Sequence, residues 1–168
     1  NMVEAKDAAG WCGTQTAAMA FGGRNTVTTY LTDAQTYNGT AWAETAALLS
    51  TVYQNAGFGT TTAAMSAGGE PGRDASVSWN GTSWTAANDL QLGRRHVHGC
   101  GTQTAGLITG GTIPATPAPT YRDATEIYDG TSWAAASNQS AAGSARATFG
   151  TTTAALATAG TTAASPNQ

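Results

Sequence analysis

The sequence is poor in charged residues and has no long apolar run. Charged side chains make up 10% of the 168 residues, and the formal net charge is −3. Nucleic-acid binding needs clustered Lys and Arg to neutralise phosphates, so this composition argues against a nucleic-acid partner. No apolar run reaches the length of about 20 residues that a membrane-spanning helix needs, so we expect no membrane insertion. The two cysteines, Cys12 and Cys100, give no evidence about the redox compartment.

The sequence also lacks an initiator methionine at position 1 and the basic and apolar regions of a signal peptide. From the start, Asn1-Met2-Val3-Glu4, we expect a processed chain or a piece of a longer protein. The length is sufficient for one domain with a hydrophobic core, and we predict a single domain over residues 1–168.

A short aromatic motif is present three times, with the pattern aromatic–Asn/Asp–Gly–Thr–x–Trp. Its copies are Tyr37–Trp42, Trp79–Trp84 and Tyr128–Trp133. Asn-Gly and Asp-Gly pairs are typical of two-residue type I′ turns, because both central residues need a positive φ. Each copy therefore predicts a β-hairpin whose strands are anchored by aromatic side chains.

A second motif, Gly-Thr-x-Thr-Ala, is present four times and begins at Gly13, Gly59, Gly101 and Gly150. Between Gly13 and Gly22 the side chains alternate between two faces, and small, apolar and β-branched residues occur on both. This pattern predicts one strand buried on both faces. Glycine pairs follow three of the copies, where they allow a sharp backbone turn. These pairs are Gly22-Gly23, Gly68-Gly69 and Gly110-Gly111.

The spacing between the motifs is constant except in one interval of each repeat. The interval between the glycine pair and the next hairpin aromatic varies, which is typical of a surface loop rather than a packed scaffold. We place the variable loops at Arg24–Thr36, Glu70–Ser78 and Thr112–Ile127. The repeats are approximately 1–42, 43–84, 85–133 and a partial 134–168. The loop residues that we predict to bind a ligand are Arg24, Tyr30, Arg73, Tyr121 and Arg122.

Four short strands fit each repeat, and a repeat of this length with four strands is typical of a propeller blade. The glycine pair, the Tyr and the Trp of each repeat resemble the kelch family of β-propeller repeats. An Arg shortly before the next first strand, Arg94 or Arg95 and then Arg146, resembles that family as well. Three features depart from the pattern: Trp79 replaces the Tyr, Ala159 replaces a glycine, and no Arg lies between Trp42 and Gly59.

This resemblance implies an all-β, kelch-like β-propeller with about three and a half four-stranded blades, whereas a closed ring usually has at least about four. The blades then belong to a larger propeller, or another chain completes the last one. In such a fold, Trp42, Trp84 and Trp133 are expected to pack between blades. The alternative fold is a β-solenoid, against which the constant aromatic hairpin argues.

The strongest candidate for a metal-binding or catalytic site is the alternating set His96, His98 and Cys100, which on a strand would share one face. His and Cys bind zinc or copper. The equivalent positions of another repeat are Gln54, Ala56 and Phe58, so packing positions are the better interpretation. We therefore expect no metal, no cofactor and no catalytic residue. We also expect Cys12 and Cys100 to be buried on first strands, too far apart to form a disulfide.

The amino-acid sequence of the repeats is similar to that of kelch-like repeats in bacteriophage structural and tail-fibre proteins. This resemblance implies a non-enzymatic virion module that binds the host surface through the variable loops. Its partners would be other virion proteins or copies of itself, and a host cell-surface glycan or protein. Its location would be the virion, and the cytoplasm during assembly. The alternatives are a glycan-binding, lectin-like propeller and a kelch-type protein–protein adaptor.

Overall fold

The computed structural model describes residues 1–25, 29–71, 73–115, 118–144, 147–158 and 160–161. Within these ranges the secondary structure consists of β-strands, turns and bends, and contains no helix. Accordingly, this part of the chain has no helix that is long and apolar enough to cross a membrane.

Three four-stranded antiparallel sheets follow one another along the chain, each with its strands paired in sequence order. Sheet 1 consists of β1 (Gly10–Thr14), β2 (Ala17–Phe21), β3 (Ala34–Tyr37) and β4 (Trp42–Thr45). Sheet 2 consists of β5 (Ala56–Thr60), β6 (Ala63–Ala67), β7 (Ser76–Trp79) and β8 (Trp84–Ala87). Sheet 3 consists of β9 (His98–Thr102), β10 (Ala105–Thr109), β13 (Thr125–Tyr128) and β14 (Trp133–Ala136).

Two smaller sheets accompany these three. The short strands β11 (Thr112–Ile113) and β12 (Thr120–Tyr121) pair within the loop between β10 and β13. After sheet 3, β15 (Thr148–Gly150) pairs with β16 (Ala155–Ala157). This all-β arrangement of four-stranded antiparallel sheets fits a β-propeller-like fold. The sheets begin and end later than the predicted repeats 1–42, 43–84 and 85–133, because the hairpin Trp begins the last strand of its sheet.

The Gly-Thr-x-Thr-Ala motif forms a tight hairpin and not the single strand that we predicted. Thr14 pairs with Ala17, so Gln15 and Thr16 form the turn between β1 and β2. β1 continues through Gly13. Gly13 has a φ of 103°, and a Cβ there would lie 2.2 Å from the carbonyl oxygen of Ala17. Glycine is required at this position for both reasons.

The aromatic motifs form β-hairpins as predicted, but the predicted type I′ turn is wrong. Tyr37 pairs with Trp42, which leaves a four-residue loop. The side chain of Asn38 closes this loop, because its Oδ1 accepts the backbone N–H groups of Thr40 and Ala41 at 2.9 Å each. Gly39 has a φ of 92°, whereas Asn38 is not among the residues with positive φ. The loop is therefore an Asx-type turn, and Asn80 and Asp129 form the same bonds in the other copies.

The first strands of successive repeats lie side by side, so β5 contacts β1 and β9, and β9 contacts β15. The approach of β1 and β5 is close, since a Cβ on Gly57 would lie 2.4 Å from the backbone nitrogen of Trp11. Together the first strands and the segments before them line a cavity of about 220 Å³. The remaining strands of each sheet extend outward from this cavity, with the fourth strand at the outer edge.

The hydrophobic core lies between neighbouring sheets, and hairpin tryptophans close it. Trp84 packs edge-on against Phe21 of sheet 1, with ring centroids 5.0 Å apart. Trp133 packs edge-on against Phe58 of sheet 2 at 6.1 Å. Both indoles are 4% exposed. Trp42 differs, because it is half-buried and packs against Trp11 of its own sheet, not between two sheets.

Arg94, one of the residues that resemble the kelch pattern, is fully buried and cross-links sheet 3. Its guanidinium forms an ion pair with buried Glu126 and donates to the carbonyl oxygens of Gly110 and Leu92, both at 2.8 Å. Arg146, the other arginine of the resemblance, lies outside the described residues.

Candidate ligand-binding face

One end of each four-stranded sheet, and of the β15–β16 pair, carries an isolated backbone β-bridge. Each bridge joins the residue after a glycine pair to a residue in the segment before a first strand. The two backbone N–H groups of each bridge donate to the opposite carbonyl oxygens at 2.7 to 3.1 Å. The four bridges of this kind are Asp7–Arg24, Tyr53–Glu70, Arg95–Thr112 and Ser144–Thr161, and Arg24 also forms a bridge with Tyr30.

These bridges keep one backbone geometry while their side chains differ in every repeat. The first partner always lies six residues before the motif glycine at 13, 59, 101 or 150, and the second always follows the glycine pair or its equivalent. The side-chain chemistry of the pairs nevertheless differs. It is acid with base in Asp7–Arg24, phenol with acid in Tyr53–Glu70, base with hydroxyl in Arg95–Thr112, and hydroxyl with hydroxyl in Ser144–Thr161. The Asx turns lie at the opposite end of the sheets, where a Cβ on Gly39 would be 3.2 Å from the carbonyl oxygen of Thr16. We call the bridge-bearing end, with its loops, the loop face.

The loop face contains an aromatic stack at its first bridge. Tyr30 and Tyr53 lie nearly parallel, with ring centroids 4.3 Å apart and an interplanar angle of 18°. The guanidinium carbon of Arg24 lies 5.7 Å from the centre of the Tyr53 ring, within cation–π range. Arg24 also donates from Nε to Asp7 Oδ1 at 2.8 Å, and this hydrogen bond lowers the pKa of Asp7. Burial and the hydrogen bond with Tyr30 raise the pKa of Tyr53.

Charged side chains lie next to this aromatic stack, at the second bridge. Glu70 accepts hydrogen bonds from Arg73 at 3.0 Å and from Arg95 at 2.7 Å. Burial alone would raise the pKa of Glu70, but the hydrogen bonds from Arg73 and Arg95 outweigh it and lower that pKa. Because Glu70 is bridged to Tyr53, the aromatic stack and the arginine pair form one continuous surface.

The third bridge extends this surface toward the longest loop. Thr112 pairs with Arg95 on one side and with Tyr121 on the other. Its hydroxyl lies 3.3 Å from Nδ1 of His96. Arg122 follows Tyr121, and its backbone N–H donates to the carbonyl oxygen of Gly111 at 2.9 Å. The Nε atoms of Arg73, Arg95 and Arg122 are buried and have no hydrogen-bond partner within the described ranges.

The five predicted ligand-binding residues all lie on this face, but they form separate groups. Arg24 and Tyr30 meet at the Tyr53 ring, Arg73 belongs to the Glu70 group, and Tyr121 and Arg122 lie in the third loop. The predicted loops Arg24–Thr36, Glu70–Ser78 and Thr112–Ile127 all extend into a strand, because β3, β7 and β13 begin at Ala34, Ser76 and Thr125.

Sequence reasoning placed Asp7, Tyr53 and Arg95 outside the variable loops, and it did not name Glu70, which begins one of those loops, as a ligand-binding residue. A signal for three of them was present, because Asp7, Tyr53 and Arg95 occupy one position of the repeat and carry different chemistry there. Their segment lies before the first strand, and its constant spacing indicated scaffold rather than recognition. The antiparallel bridges bring this segment to the same end of the sheet as the variable loops.

The expectation that His96, His98 and Cys100 share one face of a strand is wrong. β9 begins at His98, and His96 precedes it with a φ of 53°. The equivalent residues Ala8 and Gln54 have the same left-handed conformation, so a backbone turn defines this position. His98 lines the cavity between the first strands, where burial lowers its pKa. Within the described residues, no group of three or more His, Cys, Asp and Glu side chains is arranged to hold a metal ion.

The two cysteines are free thiols, as expected, but their environments differ. Cys100 is buried, whereas Cys12 is only partly buried, contrary to the expectation for both. The Cys12 Sγ atom lies 3.6 Å from the carbonyl oxygen of Thr60, and burial raises the pKa of this thiol to about 12.

No protein-family model matches the chain, and a search of curated proteins returns no match.

Proposed function

We propose that the protein is a non-enzymatic binding module built on a kelch-like propeller, and that its loop face binds the surface of a host cell. The observation that carries this proposal is the set of backbone bridges. Their backbone geometry is the same in each repeat, while the side chains that they present differ. A rigid scaffold with variable side chains on its loops is the usual arrangement of a recognition surface.

The scaffold part of the proposal is supported by the glycine pairs, the hairpin tryptophans and the buried arginine. The first glycine of each pair has a φ of 66° to 67° and directly follows the last residue of the second strand of its sheet. These glycines are Gly22, Gly68 and Gly110. Arg94 joins the third-strand residue Glu126 to the glycine pair of sheet 3. These are the positions on which the resemblance to kelch repeats rests. About three and a half blades of this type, in a larger or chain-completed propeller, remain our proposal for the architecture.

The ligand that suits this face best is a host-surface glycan. Aromatic rings contact the apolar faces of sugars, and a few placed polar groups fix their orientation. Tyr30 is half-buried, so part of its ring is open to solvent beside Arg24. The Arg73 side chain is 41% exposed beside Glu70, and therefore offers hydrogen-bond donors to hydroxyl or carboxylate groups.

A glycan array of bacterial lipopolysaccharides, capsular polysaccharides and teichoic acids tests this part of the proposal. We expect saturable binding by the wild type, and binding reduced by about tenfold or more in Tyr30→Ala and Arg73→Ala. Ser83→Ala, in an Asx turn at the opposite end, is the matched control and should bind normally. Binding that is absent, or unchanged in both loop-face variants, would contradict glycan recognition at this face.

The long loop can be tested without changing a strand. Residues 114–119, which lie between β11 and β12, are replaced by a two-residue turn, and stability and adsorption to host cells are measured together. We expect stability to be preserved and adsorption to fall. Loss of both properties would show that the loop belongs to the scaffold.

We also propose that the module belongs to a phage tail fibre or surface appendage and reaches the virion from the cytoplasm during assembly. Low charge and Thr-, Ala- and Gly-rich strands support this proposal, together with the resemblance of the repeats. Mass spectrometry of purified virions should detect the chain. Recovery of the chain only as a free cytosolic protein would contradict the assignment.

A further inference from the structure

Two interfaces between neighbouring sheets show how this fold uses its hairpin tryptophan. Between sheets 1 and 2, the Trp84 indole N–H donates to the carbonyl oxygen of Ala46 at 3.1 Å. Between sheets 2 and 3, the Trp133 indole N–H donates to Ser76 Oγ at 3.1 Å. In both cases the tryptophan belongs to the later repeat and the acceptor to the earlier one. Ala46 lies just after a fourth strand, and Ser76 is the first residue of a third strand.

A cavity of about 190 Å³ lies at the equivalent place between sheet 3 and the β15–β16 pair. Its lining includes Thr125 and Ser137, which are the sheet 3 equivalents of Ser76 and Ala46. Ala155 and Ala157 of β16 form the opposite wall. Because one water fills only about 30 Å³ of liquid, this cavity has room for a large side chain. We call it the socket.

The socket contains buried polar atoms that have no partner. Gln139 and Thr148 both line it, and the buried atoms Gln139 Oε1 and Thr148 Oγ1 form no hydrogen bond within the described residues. Gln139 occupies the position of Leu48 and Leu90, which are buried in the two filled interfaces. Buried acceptors without a donor are costly, so this lining favours an occupant that brings an N–H group.

An open strand edge lies beside the socket. β16 pairs with β15, and no third strand lies against its other edge in the part of the chain that the structure describes. In each four-stranded sheet the second strand instead pairs with the first strand of the aromatic hairpin. An exposed edge of this kind offers unpaired backbone groups to a further strand.

We infer that the socket receives a β-hairpin with the sequence aromatic–Asn/Asp–Gly–Thr–x–Trp. The hairpin adds to the free edge of β16 and places its tryptophan between sheet 3 and β15–β16. The indole N–H then meets the acceptors at Thr125, Ser137 and Gln139, as Trp84 and Trp133 meet theirs. This inference concerns assembly, and it stands whether or not the loop face binds a glycan.

The test uses a fluorescently labelled peptide with the sequence of Thr125–Ala136 and the whole 168-residue protein. Fluorescence anisotropy should show saturable binding. The same peptide with the Trp133→Ala change should bind at least about tenfold more weakly, since buried tryptophans dominate interfaces of this kind. This peptide variant leaves the protein untouched, so the result does not depend on a mutant that folds.

A protein variant locates the binding site. Ala157→Phe fills the socket and should weaken peptide binding by about tenfold or more. Ala134→Phe, the same change at an exposed position of β14 outside the socket, should bind the peptide normally. Circular dichroism verifies that both variants are folded. The inference is overturned if the wild-type peptide does not bind, if its alanine variant binds equally, or if a folded Ala157→Phe protein binds as the wild type does.

Discussion

At the scale of single residues, the hairpin tryptophans have equivalent sequence positions and different surroundings. Trp84 and Trp133 are buried between sheets and donate an indole hydrogen bond. Trp42 is half-buried and packs edge-on against Trp11 of its own sheet, with ring centroids 6.0 Å apart. Constant spacing therefore fixes the direction of the side chain, while the neighbouring repeat decides how much of it is buried.

Replacement of a buried hairpin tryptophan should strongly destabilise the fold. Trp84→Ala removes the contact with Phe21 and leaves the Ala46 acceptor unpaired, so we expect a loss of about 3–5 kcal/mol in the free energy of unfolding. Urea unfolding measures this loss. Trp42→Ala is the matched control and should lose less, because its ring is only partly buried. A loss below about 1 kcal/mol in Trp84→Ala would contradict a core role.

Asp129 gives the third Asx turn a dependence on pH that the other two lack. The carboxylate accepts the backbone N–H groups of Ser132 and Thr131 at 2.8 Å each, and these bonds lower its pKa from 3.8. Because the folded pKa is below the unfolded one, the unfolded chain binds the proton more readily. The contribution to stability is therefore present above pH 3.8 and is lost as the pH falls through the folded pKa.

We expect Asp129→Asn to lose less stability on acidification than the wild type does. The denaturant midpoint of each protein is measured between about pH 5 and pH 2. The reciprocal change, Asn80→Asp, should add acid sensitivity to the second turn, where asparagine already forms the same bonds. Identical acid profiles for the wild type and Asp129→Asn would show that this carboxylate contributes nothing to pH dependence.

The turn chemistry shows what short-range sequence can predict. Asn-Gly and Asp-Gly marked the turns correctly, because the glycine has positive φ in all three. Their type was wrong, because the pairing of Tyr37 with Trp42 fixes a four-residue loop. Cross-strand register depends on packing across the sheet, which a dipeptide does not report.

At the scale of the sheet, one pair of positions carries different chemistry in each repeat. Sheet 3 has the buried ion pair of Arg94 and Glu126. The equivalent positions in sheet 2 are Val52 and Val77, which both pack against the core between sheets 1 and 2. The same fold therefore accepts an ion pair or two valines at this site. Buried ion pairs often contribute no more than well-packed apolar residues do.

This difference predicts the outcome of a double replacement. Arg94→Val alone leaves the buried Glu126 carboxylate without its cation, with only the backbone N–H groups of Gln91 and Leu92 as donors among the described residues, and should cost about 3–5 kcal/mol. The double variant Arg94→Val with Glu126→Val copies sheet 2 and should recover most of that loss. Denaturant unfolding of the two single variants and the double variant gives the coupling energy. Additive losses in the double variant would contradict the equivalence of the two sheets.

The elements themselves were partly predictable. Second strands buried on both faces and aromatic hairpins were expected from alternation and spacing, and the structure has both in sheets 1 to 3. The turn between first and second strands was missed, because Gln15-Thr16 lies inside a run of small and β-branched residues. The conformation of Gly13, with a φ of 103°, allows this turn, and only the paired backbone reveals it.

At the scale of the whole molecule, the proposed recognition face and the proposed assembly socket lie at different places in the same stack of sheets. Repeat spacing predicted the loop face as a region, including Arg24 and Tyr30. It did not predict that Tyr53, from the segment before β5, would stack on Tyr30. That contact arises because neighbouring first strands lie side by side, which is a long-range consequence of packing.

The stack also predicts a gradient of local stability along the chain. Sheet 2 is covered on both sides, and Met65 and Ala67 of β6 are fully buried. In β15–β16, Phe149 is 59% exposed and Leu156 is 64% exposed.

Amide hydrogens exchange through local opening, which is easier where few apolar contacts are lost. We therefore expect the amides of β15 and β16 to exchange much faster than those of β5 and β6, as measured by hydrogen–deuterium exchange with mass spectrometry. Addition of the hairpin peptide should slow exchange in β16 and leave β5 and β6 unchanged, because β16 has a free edge beside the socket, whereas β6 is paired on both sides and β5 lies between β1 and β9. Equal protection of the two regions in the free protein would show that the stack opens as a single unit.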